Sequence, residues 1–180
     1  MNDLERELFW DLPDARHVIR VLVRLLVAIA LGAVIGLERQ REHKQAGVRT
    51  HMLVALGAAL FTLVPLEAGM KVSDLSRIIQ GVATGIGFLG AGTILKLSDT
   101  HEVKGLTTAA SIWLTAAAGM AAGAGWIWPA AIGVALAWTI LSVVHTMERW
   151  MKRRSDGRES KEQSIPSSKT KKPTDLNEEG

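Results

Sequence analysis

The stretch LTTAASIWLTAAAGMAAGAGWIWPAAIGVALAWTILSVV, residues 106–144, decides the fold because it contains no charged residue. One crossing of a bilayer needs about 20 apolar residues, so this stretch is long enough for two crossings. It breaks near its middle, where glycines precede Trp126, Trp128 and Pro129. Proline suits the first turn of a helix, and tryptophan is enriched at headgroup depth. The stretch therefore predicts two transmembrane helices joined by a tight turn.

Three other apolar segments precede this stretch, at residues 18–37, 51–66 and 78–97. Lys and Arg are concentrated in the first and third connections between segments and again after residue 148. Such an excess is typical of cytoplasmic loops. We therefore predict an all-α integral membrane protein with five transmembrane helices, its N-terminus outside and its C-terminus in the cytoplasm.

The two ends of the chain differ from this apolar region. Residues 1–17 mix apolar and charged side chains, which predicts a short interfacial arm. Acidic residues stand there in place of the basic ones that open a signal peptide, so no cleavable signal is expected. Residues 148–180 are basic and polar, and too few of them are apolar to form a core, so this cytoplasmic tail is expected to be mostly disordered. The transmembrane domain is accordingly expected at residues 18–147.

The composition also narrows the function. Hydrophobic residues make up 48% of the chain and the net charge is +3. The basic residues flank apolar segments, so topology and lipid headgroups explain them better than nucleic acid does. Cysteine is absent, and the sequence has no nucleophile elbow, zinc-binding helix or phosphate-binding loop. We therefore expect a non-enzymatic protein without a cofactor, and the sequence leaves metal binding undecided.

Glycine is dense in the third segment, at Gly81, Gly85, Gly87, Gly90 and Gly92. Three of these residues match the G-x-G-x-x-G pattern of dinucleotide sites, but that pattern works at a strand-to-helix turn and not inside an apolar helix. Small residues let neighbouring helices approach closely, so the glycines predict helix packing and favour an oligomer. The alternative is a broken helix near residues 87–92, of the kind that binds ions in transporters.

Charged side chains gather at the predicted cytoplasmic ends of the first two helices, where Glu38, Arg39, Arg49 and His51 lie with Thr50 beside them. The short connection makes these helices neighbours. The cluster is therefore either a salt-bridge lock that sets helix register or a gate for protons or cations.

Other polar side chains lie at span ends. Arg24 either extends outward to the interface or faces the bundle and pairs with a helix-end carbonyl. Thr107 and Thr108 follow a glycine at a helix start, where one hydroxyl is expected to cap free amides. Ser111 and Thr115 continue this side of the helix, either lining a path or bonding across helices.

Four blocks of the sequence together resemble the MgtC/SapB family of bacterial inner-membrane proteins. The matching blocks are GLER at residues 36–39, AGVRTH at 46–51, Arg77 and Gln80 with GIGFLGAGTI at 85–94, and KGLTTAASIW at 104–113. The resemblance covers residues 18–147. It implies a multi-pass protein of the bacterial cytoplasmic membrane that is linked to magnesium homeostasis, to growth at low Mg²⁺ and, in pathogens, to virulence.

The resemblance further implies a regulator of membrane partners, namely the F-type ATP synthase, the membrane potential and phosphate uptake. The virulence members carry an ACT-like soluble domain after the membrane part, where this sequence continues as a polar tail. The implied core residues are Glu38, Arg39, Arg49, Thr50, His51, Arg77, Gly87, Gly90, Gly92, Thr107 and Thr108. The alternative function is a small oligomeric channel or transporter for Mg²⁺, K⁺ or H⁺.

Overall fold

The computed structural model describes residues 14–96 and 103–143, and these residues are mostly helical. The five helices are α1 (Ala15–Arg41), α2 (Val48–Glu67), α3 (Leu75–Gly92), α4 (Leu106–Gly123) and α5 (Ile127–Val143). A single 3₁₀ turn, Val72–Asp74, precedes α3. Between α3 and α4, β1 (Leu95–Lys96) pairs antiparallel with β2 (Val103–Lys104). The predicted interfacial arm and tail fall almost wholly outside the described residues.

The helical prediction is confirmed, because all five apolar segments form helices. Among the described helices, α1, α2 and α4 are long and apolar enough to cross a membrane, whereas α5 is apolar but shorter. The predicted break between α4 and α5 is also confirmed. Gly125 adopts φ +87°, a conformation that suits glycine, and Pro129 lies in the first turn of α5.

Successive helices alternate in direction, which gives the bundle two ends. The Glu67 end holds the starts of α1, α3 and α5 and the C-termini of α2 and α4. The Arg39 end holds the opposite termini. Hydrogen bonds join α1 to α4 at the first end and α2 to α4 at the second. Helices α2 and α4 therefore run parallel to each other.

Small residues bring three of the helices into backbone contact. A Cβ built on Gly119 would lie 2.3 Å from the carbonyl oxygen of Ala55, and one on Gly123 would lie 2.4 Å from that of Ala59. On α1, a Cβ on Gly32 would lie 2.6 Å from the carbonyl oxygen of His51. Only glycine fits these positions, so α1, α2 and α4 pack at their closest approach. Their shared core includes fully buried alanines, at positions 28, 55, 59 and 122.

The glycines of α3 behave differently from the prediction. Only Gly90 meets another helix, with a built Cβ 3.4 Å from Ala109 Cβ. At Gly81, Gly85, Gly87 and Gly92 a Cβ would meet nothing within 4 Å. Helix α3 also runs unbroken to Gly92, so the alternative of an unwound turn near residues 87–92 is wrong. The close-packing glycines are instead those of α1 and α4.

Candidate functional site

Buried polar side chains gather at the Arg39 end, where His51 is the best-connected member. His51 is fully buried in the first turn of α2. Its Nδ1 lies 2.9 Å from the carbonyl oxygen of Gly47, and its Nε2 lies 3.1 Å from Ser111 Oγ on α4. A carbonyl only accepts, so Nδ1 carries a proton. His51 therefore uses Nδ1 to bond the N-cap residue of its own helix and Nε2 to link α2 to α4.

The Ser111 hydroxyl has two possible acceptors, which couples its orientation to the ring. Ser111 Oγ lies 2.8 Å from the carbonyl oxygen of Thr108 as well as next to His51 Nε2. A neutral, Nδ1-protonated ring accepts the hydroxyl proton at Nε2. A doubly protonated ring donates there, and the hydroxyl proton then goes to Thr108. The same heavy-atom positions thus fit both the neutral and the doubly protonated ring of His51.

Arg39 lies at the same end of the bundle and is 1% exposed. Its Nη2 forms an ion pair with Glu42 Oε2, one turn further along α1. Its Nε and Nη1 are buried and find no acceptor among the described residues. Burial of a guanidinium requires a paired carboxylate, which explains why Glu42 is drawn in beside it. Glu42 was missed by the sequence analysis, although its i,i+3 spacing from Arg39 on a helix is the signal that identifies such a pair.

The predicted cluster of Glu38, Arg39, Arg49 and His51 does not form one network among the described residues. Glu38 accepts a hydrogen bond of 3.1 Å from Ser142 Oγ on α5. Arg49 and Thr50 are exposed on α2. The other three side chains each contact a different partner. Glu38 joins α1 to α5, Arg39 pairs with Glu42 at the end of its own helix, and His51 joins α2 to α4.

At the start of α4 the predicted hydroxyl cap is wrong. The N-cap residue is Gly105, with φ +98°, and no side chain caps the helix. Thr107 is exposed, whereas Thr108 is buried and supplies its carbonyl to Ser111. A Cβ on Gly105 would lie 1.9 Å from the carbonyl oxygen of Thr93, at the end of α3. A capping side chain at position 105 would therefore collide with α3.

The hydroxyls further along α4 are buried but satisfied within their own helix. Thr115 Oγ1 donates to the carbonyl oxygen of Ser111 at 2.7 Å. On α2, Thr62 donates in the same way to Ala58 at 3.1 Å. Side chains bonded to their own backbone offer an ion little coordination, so Ser111 and Thr115 do not line a path through one chain. Ser111 instead bonds across helices, to His51. Within residues 14–96 and 103–143, no group of three or more His, Asp or Glu could hold a metal ion.

A second polar cluster lies at the Glu67 end. His17 Nε2 lies 2.7 Å from Glu67 Oε2, and Arg24 Nη1 lies 3.7 Å from Glu67 Oε1. Arg24 Nη1 also lies 3.4 Å from the carbonyl oxygen of Gly123, at the C-terminus of α4. Of the two interpretations of Arg24, the one with the helix-end carbonyl is confirmed. Sequence reasoning missed His17 and Glu67, and Arg77 is exposed near this end of α3.

The two clusters are separated by apolar packing. From Arg24 to Arg39 the axis of α1 rises about 22 Å, at 1.5 Å per residue. The alanine core and the backbone contacts of Gly119 and Gly123 fill the space between the clusters. The arrangement can hold the helices in register. Within the described residues it provides no polar passage from one end to the other.

These features define a helical membrane protein whose polar groups are locked at the two ends of a tightly packed bundle. The sequence profile of the MgtC family matches residues 25–150. The chain belongs to the MgtC family. No solved structure matches it.

Three relatives illustrate the match. The chain is 53% identical to Protein SrpB of Synechococcus elongatus over 113 residues, which cover 57% of this chain and 62% of the relative. It is 43% identical over 140 residues to a protein of Escherichia coli named putative magnesium transporter YhiD, covering 74% of this chain and 62% of that one. It is 47% identical over 106 residues to Protein MgtC of Brucella abortus, covering 58% and 43%. The chain thus spans less than two thirds of the length of these relatives.

Proposed function

We propose that this protein acts in magnesium homeostasis as a non-enzymatic regulator of other proteins in the bacterial inner membrane. The magnesium link rests on family membership and on the name of the Escherichia coli relative, putative magnesium transporter YhiD. The same family resemblance extends the role to adaptation at low Mg²⁺ and to virulence. The regulator role rests on the packing of the bundle.

The packing that supports a regulator is the closed core between the two polar clusters. Backbones of α2 and α4 touch at Gly119 and Gly123, where no side chain larger than hydrogen fits. A conduit through one chain needs polar groups or water along its length. Here alanine and glycine are in contact in the middle of the bundle, and the buried hydroxyls of Thr62 and Thr115 are bonded to their own helices. The proposal of a regulator, and not of a conduit, rests on this closed middle of the bundle.

In the proposed topology all five helices cross the membrane, with the Glu67 end outside and the Arg39 end in the cytoplasm. Basic residues support this orientation, because Arg41, Lys44, Arg49 and Lys104 lie at the Arg39 end and further Lys and Arg follow α5 in the sequence. Lys and Arg are favoured on the cytoplasmic side.

The outward face of α3 is the proposed docking surface for a partner. Gln80, Thr84, Gly87 and Ala91 follow one another at helical spacing and are all exposed. Thr84 bonds its hydroxyl to the backbone carbonyl oxygen of Gln80, and the exposed side-chain amide of Gln80 is open to an external group. Small and amide side chains within an apolar helix are typical of helix–helix interfaces, not of lipid-facing surfaces. By family resemblance the proposed partner is the F-type ATP synthase.

The test uses inverted inner-membrane vesicles that contain the ATP synthase. ATP-driven acidification is measured with a pH-sensitive dye, with and without this protein. Wild-type protein is expected to lower the acidification rate, and Gly87→Leu is expected to relieve that effect because its side chain blocks the docking surface. Gly133→Leu, on α5, is the matched control, since Gly133 also has nothing within 4 Å. Equal rates with and without correctly inserted wild-type protein would overturn the proposed partner.

A transporter or channel is the second candidate, because the Escherichia coli relative is named a putative magnesium transporter. Because the core of one chain is closed, the candidate passage would have to lie between copies of the chain. Purified protein in liposomes with Mg²⁺- and pH-sensitive dyes, together with a K⁺ assay, tests this candidate. A flux of Mg²⁺, K⁺ or H⁺ that requires the folded, inserted protein would replace the regulator by a conduit. No flux in folded, inserted protein would leave the regulator standing.

A further inference from the structure

We propose that the groove between α2 and α3 binds an anionic phospholipid of the bilayer. One acyl chain lies in the apolar part of the groove, and the phosphate lies at the Arg39 end beside Arg49. The proposal concerns a ligand of the purified chain and does not depend on the partner described above.

The apolar part of the groove is a cavity of about 700 Å³. It exists because α3 packs on α4 more extensively than on α2. Glycines widen it on both sides, since Gly57 on α2 and Gly81 and Gly85 on α3 have nothing within 4 Å of a built Cβ. Every lining side chain is apolar, from Pro65 and Ile78 at one end to Leu89 at the other. The occupant of this part is therefore apolar, as an acyl chain is.

A second, smaller cavity of about 220 Å³ continues the groove toward the Arg39 end. The two cavities share Val54 and Leu89 in their linings. The smaller one adds the polar side chains of Gln45, Thr50 and Thr93. The groove is thus apolar along its length and polar at one end, which is the polarity pattern of an amphiphile.

The charge at the polar end favours an anionic headgroup. Arg49 is exposed, and no acidic partner for it is found among the described residues. It precedes Leu53, which lines the groove, by one turn of α2, so both lie on the same face. Thr50 and the Gln45 amide add hydrogen-bond donors, and the start of α2 at Val48 adds the positive end of a helix dipole. Phosphate oxygens accept hydrogen bonds and carry the complementary charge.

The length of the groove fits one leaflet of a bilayer. From Val54 to Pro65 the axis of α2 rises about 16 Å, at 1.5 Å per residue. Half of a typical hydrocarbon core is about 15 Å thick. The apolar part of the groove is therefore about as long as the hydrocarbon of one leaflet is thick.

Native mass spectrometry of the purified full chain tests this proposal. The protein is titrated with palmitoyl-oleoyl-phosphatidylglycerol and, separately, with the zwitterionic phosphatidylcholine that carries the same acyl chains. Phosphatidylglycerol is expected to bind one per chain and more tightly. Arg49→Gln is expected to weaken its binding about fivefold, the effect of one basic residue near a headgroup. Arg77→Gln is the control, because Arg77 lies at the opposite end of α3.

Two glycine pairs test the acyl-chain site. Gly85→Leu fills the groove and is expected to abolish binding, whereas Gly87→Leu on the far side of the same helix is expected to retain it. Gly57→Leu repeats the test from α2 if Gly85→Leu does not fold. Equal affinity for the two lipids, or equal loss in Gly85→Leu and Gly87→Leu, would overturn the proposal. A dimer that Gly85→Leu dissociates, without bound lipid in the wild type, would assign the groove to a second copy instead.

Discussion

His51 Nε2 lies 3.1 Å from Ser111 Oγ, although 60 residues separate the two in the sequence. This contact joins the parallel helices α2 and α4 at the end of the bundle where most of the buried polar groups lie. Its neighbours, the Gly47 carbonyl on one side and the Thr108 carbonyl on the other, extend it into a chain of hydrogen bonds. The stability and the geometry of the bundle should both depend on it.

Replacing His51 by alanine is expected to lower the free energy of unfolding by about 2 kcal/mol, because a buried hydrogen-bonded group is lost and its partners stay buried. Ser111→Ala is expected to cost about 1 kcal/mol. Denaturant unfolding in detergent micelles measures both. The double variant should cost less than the sum of the two single ones, since they share one contact. Strict additivity would show that the two side chains do not interact.

The Arg39–Glu42 pair predicts a contrast between single and double substitutions. Arg39→Met alone should destabilise the protein by about 3 kcal/mol, because it leaves the Glu42 carboxylate buried without its cation. The double variant Arg39→Met/Glu42→Leu should recover most of this loss, since apolar side chains of similar size replace a buried pair with little penalty. Melting temperatures in the same micelles compare the three proteins. A double variant less stable than Arg39→Met would contradict the pairing.

Substitution at Gly119 tests the contact of α2 with α4. Gly119→Ala places a Cβ 2.3 Å from the Ala55 carbonyl oxygen, so the helices must separate, at a cost of about 2 kcal/mol. Gly133→Ala is the control, because a Cβ there meets nothing within 4 Å and alanine favours a helix by about 1 kcal/mol. The two variants should therefore shift the midpoint of unfolding in opposite directions. A Gly119→Ala protein as stable as the wild type would argue against the close approach.

At the Glu67 end, Arg24→Gln should lower stability by about 1 kcal/mol. The side chain is partly exposed, so the loss of its contacts to Glu67 and the Gly123 carbonyl is moderated by solvent. Arg20→Gln, one turn earlier on α1 and exposed, serves as the control. The difference between the two variants should shrink at high salt, because screening weakens partly exposed ion pairs. A salt-independent difference would mean that the ion pair contributes nothing.

Single cysteines test the proposed topology, and the chain favours this method because it contains no cysteine. Lys71→Cys, near the Glu67 end, should react with a membrane-impermeant maleimide in intact cells. Lys44→Cys, near the Arg39 end, should react only after the membrane is permeabilised. The opposite pattern would invert the topology.

Much of the helical framework was predictable from the sequence, because apolar length and charge position are local properties. The break before Trp126 and the order of the five helices followed from them. The partners of polar side chains were harder to predict, since they depend on how helices rotate about their axes. The sequence leaves two interpretations of Arg24, and the position of the α4 C-terminus beside it decides between them. The contact of Glu42 was not predictable from apolar length, because Glu42 follows the apolar part of α1; the helix reaches Arg41 and holds Glu42 against Arg39.

The packing role of each glycine was also hard to predict from the sequence. A high local density of glycine predicted that α3 would be the packing helix, whereas the isolated Gly32, Gly36, Gly119 and Gly123 have that role. Contact between helices depends on the neighbour that each glycine faces. Only the fold identifies that neighbour.

The backbone contacts of α1, α2 and α4 also have a mechanical consequence. Helices that touch through glycine cannot slide past one another without a collision of main-chain atoms, so these three form one stiff block. Helix α3 lies outside this block, because it contacts α4 more than α2 and four of its five glycines meet no neighbour within 4 Å. A displacement of α3 relative to the block is therefore opposed by fewer main-chain contacts than a displacement within it.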